Sequence, residues 1–200
     1  MSDCGAAVVF LCGPRAGGNS DAAGLAFAAG LARAGRESRI IRLREYSIAS
    51  CRGCGACGLP GRRRCPLDRD DDAAEWLFDT IKTASVLAFA APIYFYHVPA
   101  LFKAFIDRAQ RHYEARTGGD PSYAALSERR ARVMLVAGRQ QGERLFDGAL
   151  LTLKYFLWPF HVSLAEPCLL RGMDAPGDLT ADTAAIARLS SLGEAAGCED

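Results

Sequence analysis

The sequence has no long hydrophobic run, no excess of charge of either sign, no internal repeat and no low-complexity segment. Each absence excludes something. No apolar stretch approaches the ~18 residues that a membrane helix needs. The N-terminal residues lead directly into a strand-like run rather than a secretory signal, so a cytoplasmic protein with no membrane partner is expected. Lys and Arg total 24 against 23 Asp and Glu, a formal net charge of +1, which argues against a nucleic acid or any general polyanion as partner. The glycine-rich turn at 13–20 has no Gly-Lys-Ser/Thr, so it is not a Walker loop, and lacks the Gly-x-Gly-x-x-Gly spacing of a dinucleotide fingerprint.

What is present is a core-sized share of apolar residues, 50% of the chain, and an alternation of strand and helix signals. The continuous apolar run 6–12 and the segments 38–43, 84–90, 132–137 and 162–169 read as strands. Helical patterns follow at 19–34, 73–81, 98–113, 143–157 and 180–192, with Asn19 or Ser20 as cap of the first and Thr180 as cap of the last. The acidic triplet 70–72 complements the dipole of the helix it precedes. Five alternations imply right-handed crossovers and a parallel sheet covered on both faces. The expected fold is an α/β, flavodoxin-like three-layer sandwich with strand order 2-1-3-4-5, one domain over 1–200. Its ligand should lie beyond the carboxyl ends of strands one and three.

Those two strands carry the two most informative loops. The first is Gly-Pro-Arg-Ala-Gly-Gly-Asn-Ser at 13–20. Gly17 and Gly18 admit an anion close to the backbone. Asn19 and Ser20 offer side-chain donors at a helix start whose dipole favours negative charge. Arg15 supplies a charge-assisted contact. The segment taken alone is equally an ordinary glycine-rich turn. The second loop runs Pro92, Ile93, Tyr94, Phe95, Tyr96, His97. Aromatics at a sheet's carboxyl edge call for something flat to stack on them, or else for a helix or a subunit interface to cover them. Together the loops fit a monophosphate at one end and an isoalloxazine ring at the other, so FMN is the expected cofactor. His97 is a candidate proton donor to the reduced ring, or a surface residue at a helix start.

The first loop resembles the Gly-Ser-Pro-Arg-x-Gly-Gly-Asn-Ser segment of the NAD(P)H-dependent FMN reductase group of flavodoxin-like proteins. The stretch 92–108 resembles that group's Pro-Val-Tyr-x-x-x-x-Pro-Ala-x-Leu-Lys-x-Phe-Ile-Asp-Arg, and 172–178 is similar to the segment after that group's last strand. Gly13 stands where a serine is common, which removes one phosphate hydroxyl. The resemblance implies a third flavin-contacting loop at Gly138, Arg139 and Gln140. It also implies a homodimer or homotetramer with the flavin near a subunit interface.

Cysteine is the one residue in surplus. Four of eight, Cys51, Cys54, Cys57 and Cys65, fall in the long loop 45–69, the last followed by Pro66. Such a cluster in a chain without a secretory signal points to metal or redox chemistry. The pattern resembles the cluster motif of iron–sulfur flavoproteins, with a wider gap before Cys65. A [4Fe–4S] cluster, free or redox-active thiols, and a tetrahedral zinc all remain open. The adjacent arginines 62–64 would offset thiolate charge. Cys4 and Cys198 need no role, Cys168 is by default a small buried hydrophobe, and Cys12 stands where the FMN reductase loop has its first glycine.

The expected function is an FMN-dependent oxidoreductase passing electrons from NAD(P)H to a quinone, free flavin or other small acceptor. The alternatives are an iron–sulfur flavoprotein carrying electrons between protein partners such as ferredoxin, and a nucleotide-binding sensor without turnover.

Overall fold

Strand β1 (Ala7–Leu11) is buried along its whole length, and its side chains divide between two cores. Val8 and Phe10 face one, while Ala7, Val9 and Leu11 face the other, the period-two alternation of a strand covered on both sides. The computed structural model describes residues 6–59, 61 and 64–198. Cys4 and the Arg62 and Arg63 members of the basic run lie outside the described residues.

After β1 come α1 (Asn19–Arg33), β2 (Ser38–Arg42), a long loop with two short 3₁₀ turns, α2 (Ala74–Thr83) and β3 (Val86–Pro92). The helices α3 (Ala100–Arg108), α4 (Gln110–Thr117) and the single turn α5 (Pro121–Ala124) lead to β4 (Arg129–Val136). The chain ends through α6 (Asp147–Leu157), β5 (Val162–Leu164), β6 (Cys168–Leu170), α7 (Asp178–Ala181) and α8 (Thr183–Gly197). All pairings are parallel, in the order β2-β1-β3-β4-β5, with β6 also on β4. The fold is the expected three-layer sandwich with that strand order.

The larger core lies between the sheet and α2, α3 and α6, and is built from phenylalanine. Phe10 stacks on Phe89 at 4.9 Å between ring centroids, and Phe78 on Phe105 at 4.5 Å. Offset stacking of this kind adds to the area the rings bury. The opposite core, under α1 and α8, uses Ala88 and Ala90 where the first uses Phe89, so the helices sit close. A Cβ on Gly24 would come within 2.3 Å of Leu11 Cδ2. The α1–α8 crossing is tighter still. A Cβ on Gly30 would lie 1.9 Å from the Ser190 carbonyl oxygen, and one on Gly193 2.0 Å from that of Phe27.

Several expected boundaries are corrected. The helix expected over 98–113 is broken at Ala109, whose N–H bonds the Ile106 carbonyl in a tight turn, and resumes as α4 to Thr117. The strand expected over 162–169 is two pieces, because residues 165–167, including Pro167 with no N–H to give, interrupt it. The helix expected from 143 starts at Asp147, after a turn with Arg144 at φ 54°. Asp182, not Thr180, caps the last helix, its carboxylate accepting from Ala185 N–H at 2.9 Å. Thr180 instead donates to the Gly177 carbonyl at 2.8 Å. The cap position of α1 is Gly18, with no side-chain bond.

Gly193→Ala should lower stability by roughly 1–3 kcal/mol, the usual cost of overpacking, since the obstruction is a backbone oxygen that cannot rotate away. A urea unfolding midpoint equal to or above that of the wild type would contradict this account of the crossing.

Candidate cofactor-binding site

Because β1 feeds a helix on one face and β3 a helix on the other, the chain parts at their carboxyl ends and leaves a crevice. A cavity of about 330 Å³ lies there, walled by segments following β1, β3, β4 and β6. Eleven of the thirteen residues expected at a cofactor meet in it: Arg15, Gly18, Asn19, Ser20, Pro92, Ile93, Tyr94, Phe95, Tyr96, Gly138 and Arg139. Gly17 and Gln140 are not in the lining.

The glycine-rich loop is held from beneath by a buried ion pair. Asp21 accepts from Arg44, Oδ1 from Nη1 at 3.1 Å and Oδ2 from Nη2 at 2.9 Å. Arg44 also donates to the Gly13 carbonyl at 3.3 Å. Gly17, at φ 66°, turns its N–H to Asp21 Oδ2 at 3.0 Å, so it shapes the loop rather than facing the cavity. The Asn19 side chain is committed elsewhere. Its Nδ2 donates to the carbonyls of Met173 and Ala175 at 3.0 and 2.9 Å, and its Oδ1 accepts from Leu179 N–H at 3.2 Å. Both of its N–H donors and one acceptor position therefore go to tying the C-terminal loop to the start of α1.

Ser20 is buried, and its Oγ lies 2.6 Å from where a Cβ on residue 13 would sit. Glycine at 13 thus leaves the Ser20 hydroxyl room at the cavity floor. Arg15 is exposed and folds over Gly18, its Nε 3.4 Å from where a Cβ there would be. Cys12 faces the core, and burial, then the charge of Asp21, pushes its thiol well above the ordinary range. It is a packing residue.

The aromatic loop is a tight reverse turn. Tyr94 N–H bonds the His97 carbonyl at 2.8 Å and His97 N–H the Tyr94 carbonyl at 3.0 Å. The two central residues, Phe95 (φ 50°) and Tyr96 (φ 64°), both lie in the left-handed region, where this turn type ordinarily takes Asn and Gly. Phe95 is fully exposed at the tip. Strain and exposed aromatic surface coincide at the cavity mouth, a combination found at ligand clamps. His97, by contrast, turns to α6, its Nε2 2.9 Å from Thr152 Oγ1, and does not line the cavity. It is not positioned as a proton donor.

The third wall combines Gly138 and Arg139 with the loop after β6, which continues the sheet through Met173 N–H to the Ala137 carbonyl at 3.0 Å. A Cβ on Gly138 would lie 2.5 Å from Asp174 Oδ1. Met173 and Asp174 are wall residues that sequence reasoning did not name. The signal for them was the 172–178 segment, whose part in the wall depends on Asn19 drawing it in.

The cysteine loop makes a second, separate cavity of about 400 Å³. It is ringed by Cys51, Cys54, Cys57 and Cys65 and backed by Arg108 on α3 and Glu114 on α4. Gly53 (φ 61°) and Gly55 (φ 67°) turn the chain between the first thiols, and Gly53 N–H points to Cys51 Sγ at 3.5 Å. The loop is anchored by Asp72. Its Oδ2 accepts from Arg108 Nη1 at 2.8 Å and from Ala49 N–H at 2.8 Å, and its Oδ1 from Ala74 N–H at 3.0 Å. Burial opposes the carboxylate's charge, but these hydrogen bonds and the Arg108 charge together hold Asp72 below the usual range. Burial, with the nearby charges of Glu114 and the other thiols, raises the Cys57 thiol. Cluster, free thiols and zinc were all left open by the sequence, and among the described residues no three His, Cys, Asp or Glu converge closely enough to hold a metal ion. The thiols surround a volume instead of a point.

A parallel sheet in this order with a phosphate-sized turn and an aromatic turn at its switch point defines a mononucleotide-binding, flavodoxin-like protein. The chain belongs to the NADPH-dependent FMN reductase family, whose model matches residues 6–157. It is 34% identical over 76 residues to an iron-sulfur flavoprotein of Archaeoglobus fulgidus, covering 38% of this chain and 35% of that one. To an iron-sulfur flavoprotein of Methanosarcina thermophila it is 31% identical over 75 residues, covering 38% and 37%. The match thus spans about a third of the length of these relatives. The fold is also that of an NAD(P)H:quinone oxidoreductase from Methanothermobacter marburgensis, with TM-score 0.72 and 21% identity over 94% of this chain and 95% of that one. A flavone reductase superposes with TM-score 0.71 at 15% identity, over 95% of this chain and 61% of that one. The fold is therefore shared with both of these proteins. Among the described residues no helix is long and apolar enough to cross a membrane.

Phe95→Gly should relieve the left-handed strain and raise stability by about 1 kcal/mol while weakening FMN binding, because the tip of the turn loses its ring. Thermal unfolding and flavin titration on the same variant check this. A destabilised variant, or one with unchanged affinity, would contradict the reading of the turn as a strained clamp.

Proposed function

We propose that the chain works as a single FMN-binding domain that takes electrons from NAD(P)H and passes them to a small acceptor such as a quinone or free flavin. The observation that carries this reading is the polarity of the first cavity: Arg15, Ser20 and the start of α1 at one end, Tyr94, Phe95 and Tyr96 at the other. In this reading Arg15 and Ser20 hold the phosphate, with the positive end of the α1 dipole behind them. Gly18 gives close backbone access, and Asn19 positions the wall opposite. Pro92, Ile93 and the strained turn flank the ring, and Gly138 and Arg139 border its edge. Bound FMN would supply hydride acceptance and electron transfer, so the protein need contribute no nucleophile or general base. With His97 bonded to Thr152, a proton would come from solvent rather than from that imidazole.

A second reading, an iron–sulfur flavoprotein that carries electrons to a ferredoxin-type partner, is favoured by the cysteine cavity. A single tetrahedral ion needs converged ligands, which the four thiols do not provide. Four thiols around a larger volume, with a buried guanidinium behind them, suit a polynuclear and anionic group such as [4Fe–4S]. Cys51, Cys54, Cys57 and Cys65 would hold it, and a reducing cytoplasm would keep them as thiols. We further propose that a second copy of the chain covers Tyr113, Leu151, Tyr155 and Trp158, which are exposed on neighbouring helical segments. A dimeric or tetrameric mass by light scattering is expected, and a monomer with FMN bound would reject it.

Arg15→Ala should weaken FMN binding by roughly 1.5–3 kcal/mol, the range for a hydrogen bond to a charged group. FAD should bind less well than FMN, since one phosphate pocket faces one phosphate. NADPH alone, under anaerobic conditions, should bleach the yellow holoprotein. Tighter binding of FAD would overturn the cofactor assignment. Bleaching only by a reduced ferredoxin would overturn the reductase reading in favour of the carrier.

A further inference from the structure

The aromatic turn holds a shape that its own residues disfavour. Phe95 (φ 50°) and Tyr96 (φ 64°) are both left-handed, a conformation that crowds Cβ against the following carbonyl in any residue but glycine. The two bonds between Tyr94 and His97 close the turn, but they do not relieve that crowding at its centre. Phe95 cannot secure itself either, because its side chain is fully exposed. A backbone in this state persists only where its surroundings over-determine it.

Those surroundings come from one segment, residues 142–152, which leads into and opens α6. A Cβ on Gly148 would lie 3.2 Å from the Tyr96 carbonyl oxygen and 3.4 Å from His97 Cδ2, so the first turn of α6 abuts the aromatic turn with no side chain between them. Gly142, at φ 153°, leaves room for the Tyr96 hydroxyl, which lies 3.1 Å from where a Cβ would be. One turn further along α6, Thr152 Oγ1 meets the half-buried His97 ring at Nε2, 2.9 Å away. Of this segment only Leu145 lines the first cavity; Gly142, Gly148 and Thr152 stand outside it, as does His97. They touch the turn, not the space it borders.

We infer that His97 and Thr152 are positioning residues: their hydrogen bond, with the close approach that Gly148 permits, holds Phe95 and Tyr96 left-handed and so presents the aromatic turn to the flavin ring. The inference rests on FMN as the occupant of the first cavity. It gives His97 a task at the site that needs neither contact with the ring nor transfer of a proton. Either neutral tautomer of the imidazole serves, because a hydroxyl can both donate and accept. The hold from α6 also accounts for the residues at the tip. A turn of this type without support takes Asn and Gly, whereas a supported one can carry Phe and Tyr, the flat apolar surface that a ring needs. Because the turn is set before the ligand arrives, binding need not order it.

The test compares Thr152→Val, which keeps the shape of the side chain and removes its hydroxyl, with Thr152→Ser, which keeps the hydroxyl. Each is made in the full chain with its own turn and in a Phe95→Asn/Tyr96→Gly background, whose turn favours the left-handed shape unaided. In the protein without flavin, the intraresidue HN–Hα NOEs of Phe95 and Tyr96 are strong while φ is positive. They should weaken in Thr152→Val and stay strong in Thr152→Ser. With the native turn, Thr152→Val should bind FMN about three- to tenfold more weakly, the net effect of one neutral hydrogen bond, and Thr152→Ser should recover it. In the doubly substituted background the same change should alter affinity by less than about twofold, since the two sites no longer couple. Undiminished NOEs in Thr152→Val overturn the inference. So does an equal loss of affinity in both backgrounds, which is what a purely structural role within α6 would give. If the wild type binds no FMN, the cofactor reading falls and the role toward the ring with it, while the NOE comparison still decides whether His97 and Thr152 hold the turn.

Discussion

The strand order imposes the constraint on which everything else rests. β1 and β3 are neighbours, yet the helices that follow them pack on opposite faces of the sheet. The backbone must therefore separate at the carboxyl ends of these two strands, and no side chain from either crossover can fill the gap. The crevice is a consequence of topology. What the sequence adds is the chemistry of its rim, polar and glycine-rich on the β1 side, apolar and aromatic on the β3 side.

Holding that rim in place requires polar groups to be buried, and Asp21 and Asn19 beneath it are both hydrogen-bonded. Asp21 and Arg44 form a pair beneath the first loop; removing either partner of such a pair would leave an uncompensated charge, at a typical cost of about 3–5 kcal/mol. Asn19 joins segments more than 150 residues apart in sequence, through three hydrogen bonds. On the other side of the sheet His112, Tyr123, Glu75 and Arg111 form a buried cluster under α2 and α4. Burial and the charges of Arg111, Lys82 and Arg108 push the His112 imidazole down to about 2, so it is neutral there. Burial pushes the Tyr123 hydroxyl up to about 12, so it too is uncharged. Both groups serve packing of the platform on which the cysteine loop rests.

The parts of this molecule legible in the sequence are those governed by local patterns. A continuous apolar run marked β1 because a doubly covered parallel strand has no solvent face to interrupt it. The two loops announced themselves because Gly17, Gly18, Pro92 and Tyr94–Tyr96 are residue types that need a reason at a sheet edge. What could not be read depends on distant partners. Asn19 looked like a cap and is a clamp, since its partners lie beyond residue 170. His97 looked available and is taken by Thr152 on a helix fifty residues later. Met173 and Asp174 join the cavity wall through the Asn19 clamp and the Met173–Ala137 backbone bond, both distant in sequence. The break at Ala109 carries no glycine or proline to betray it. The four cysteines were found by spacing, but spacing does not say whether thiols converge on a point or surround a space.

The central claim is that one cavity, built from the loops after β1, β3, β4 and β6, receives FMN. Hydrogen–deuterium exchange of the full chain with and without saturating FMN tests it most directly. The account predicts slowed exchange in peptides covering 13–20, 92–97, 137–140 and 172–175, with the cysteine loop at 49–59 unchanged. Protection elsewhere with these four segments unaffected, or no protection at saturating flavin, would contradict it.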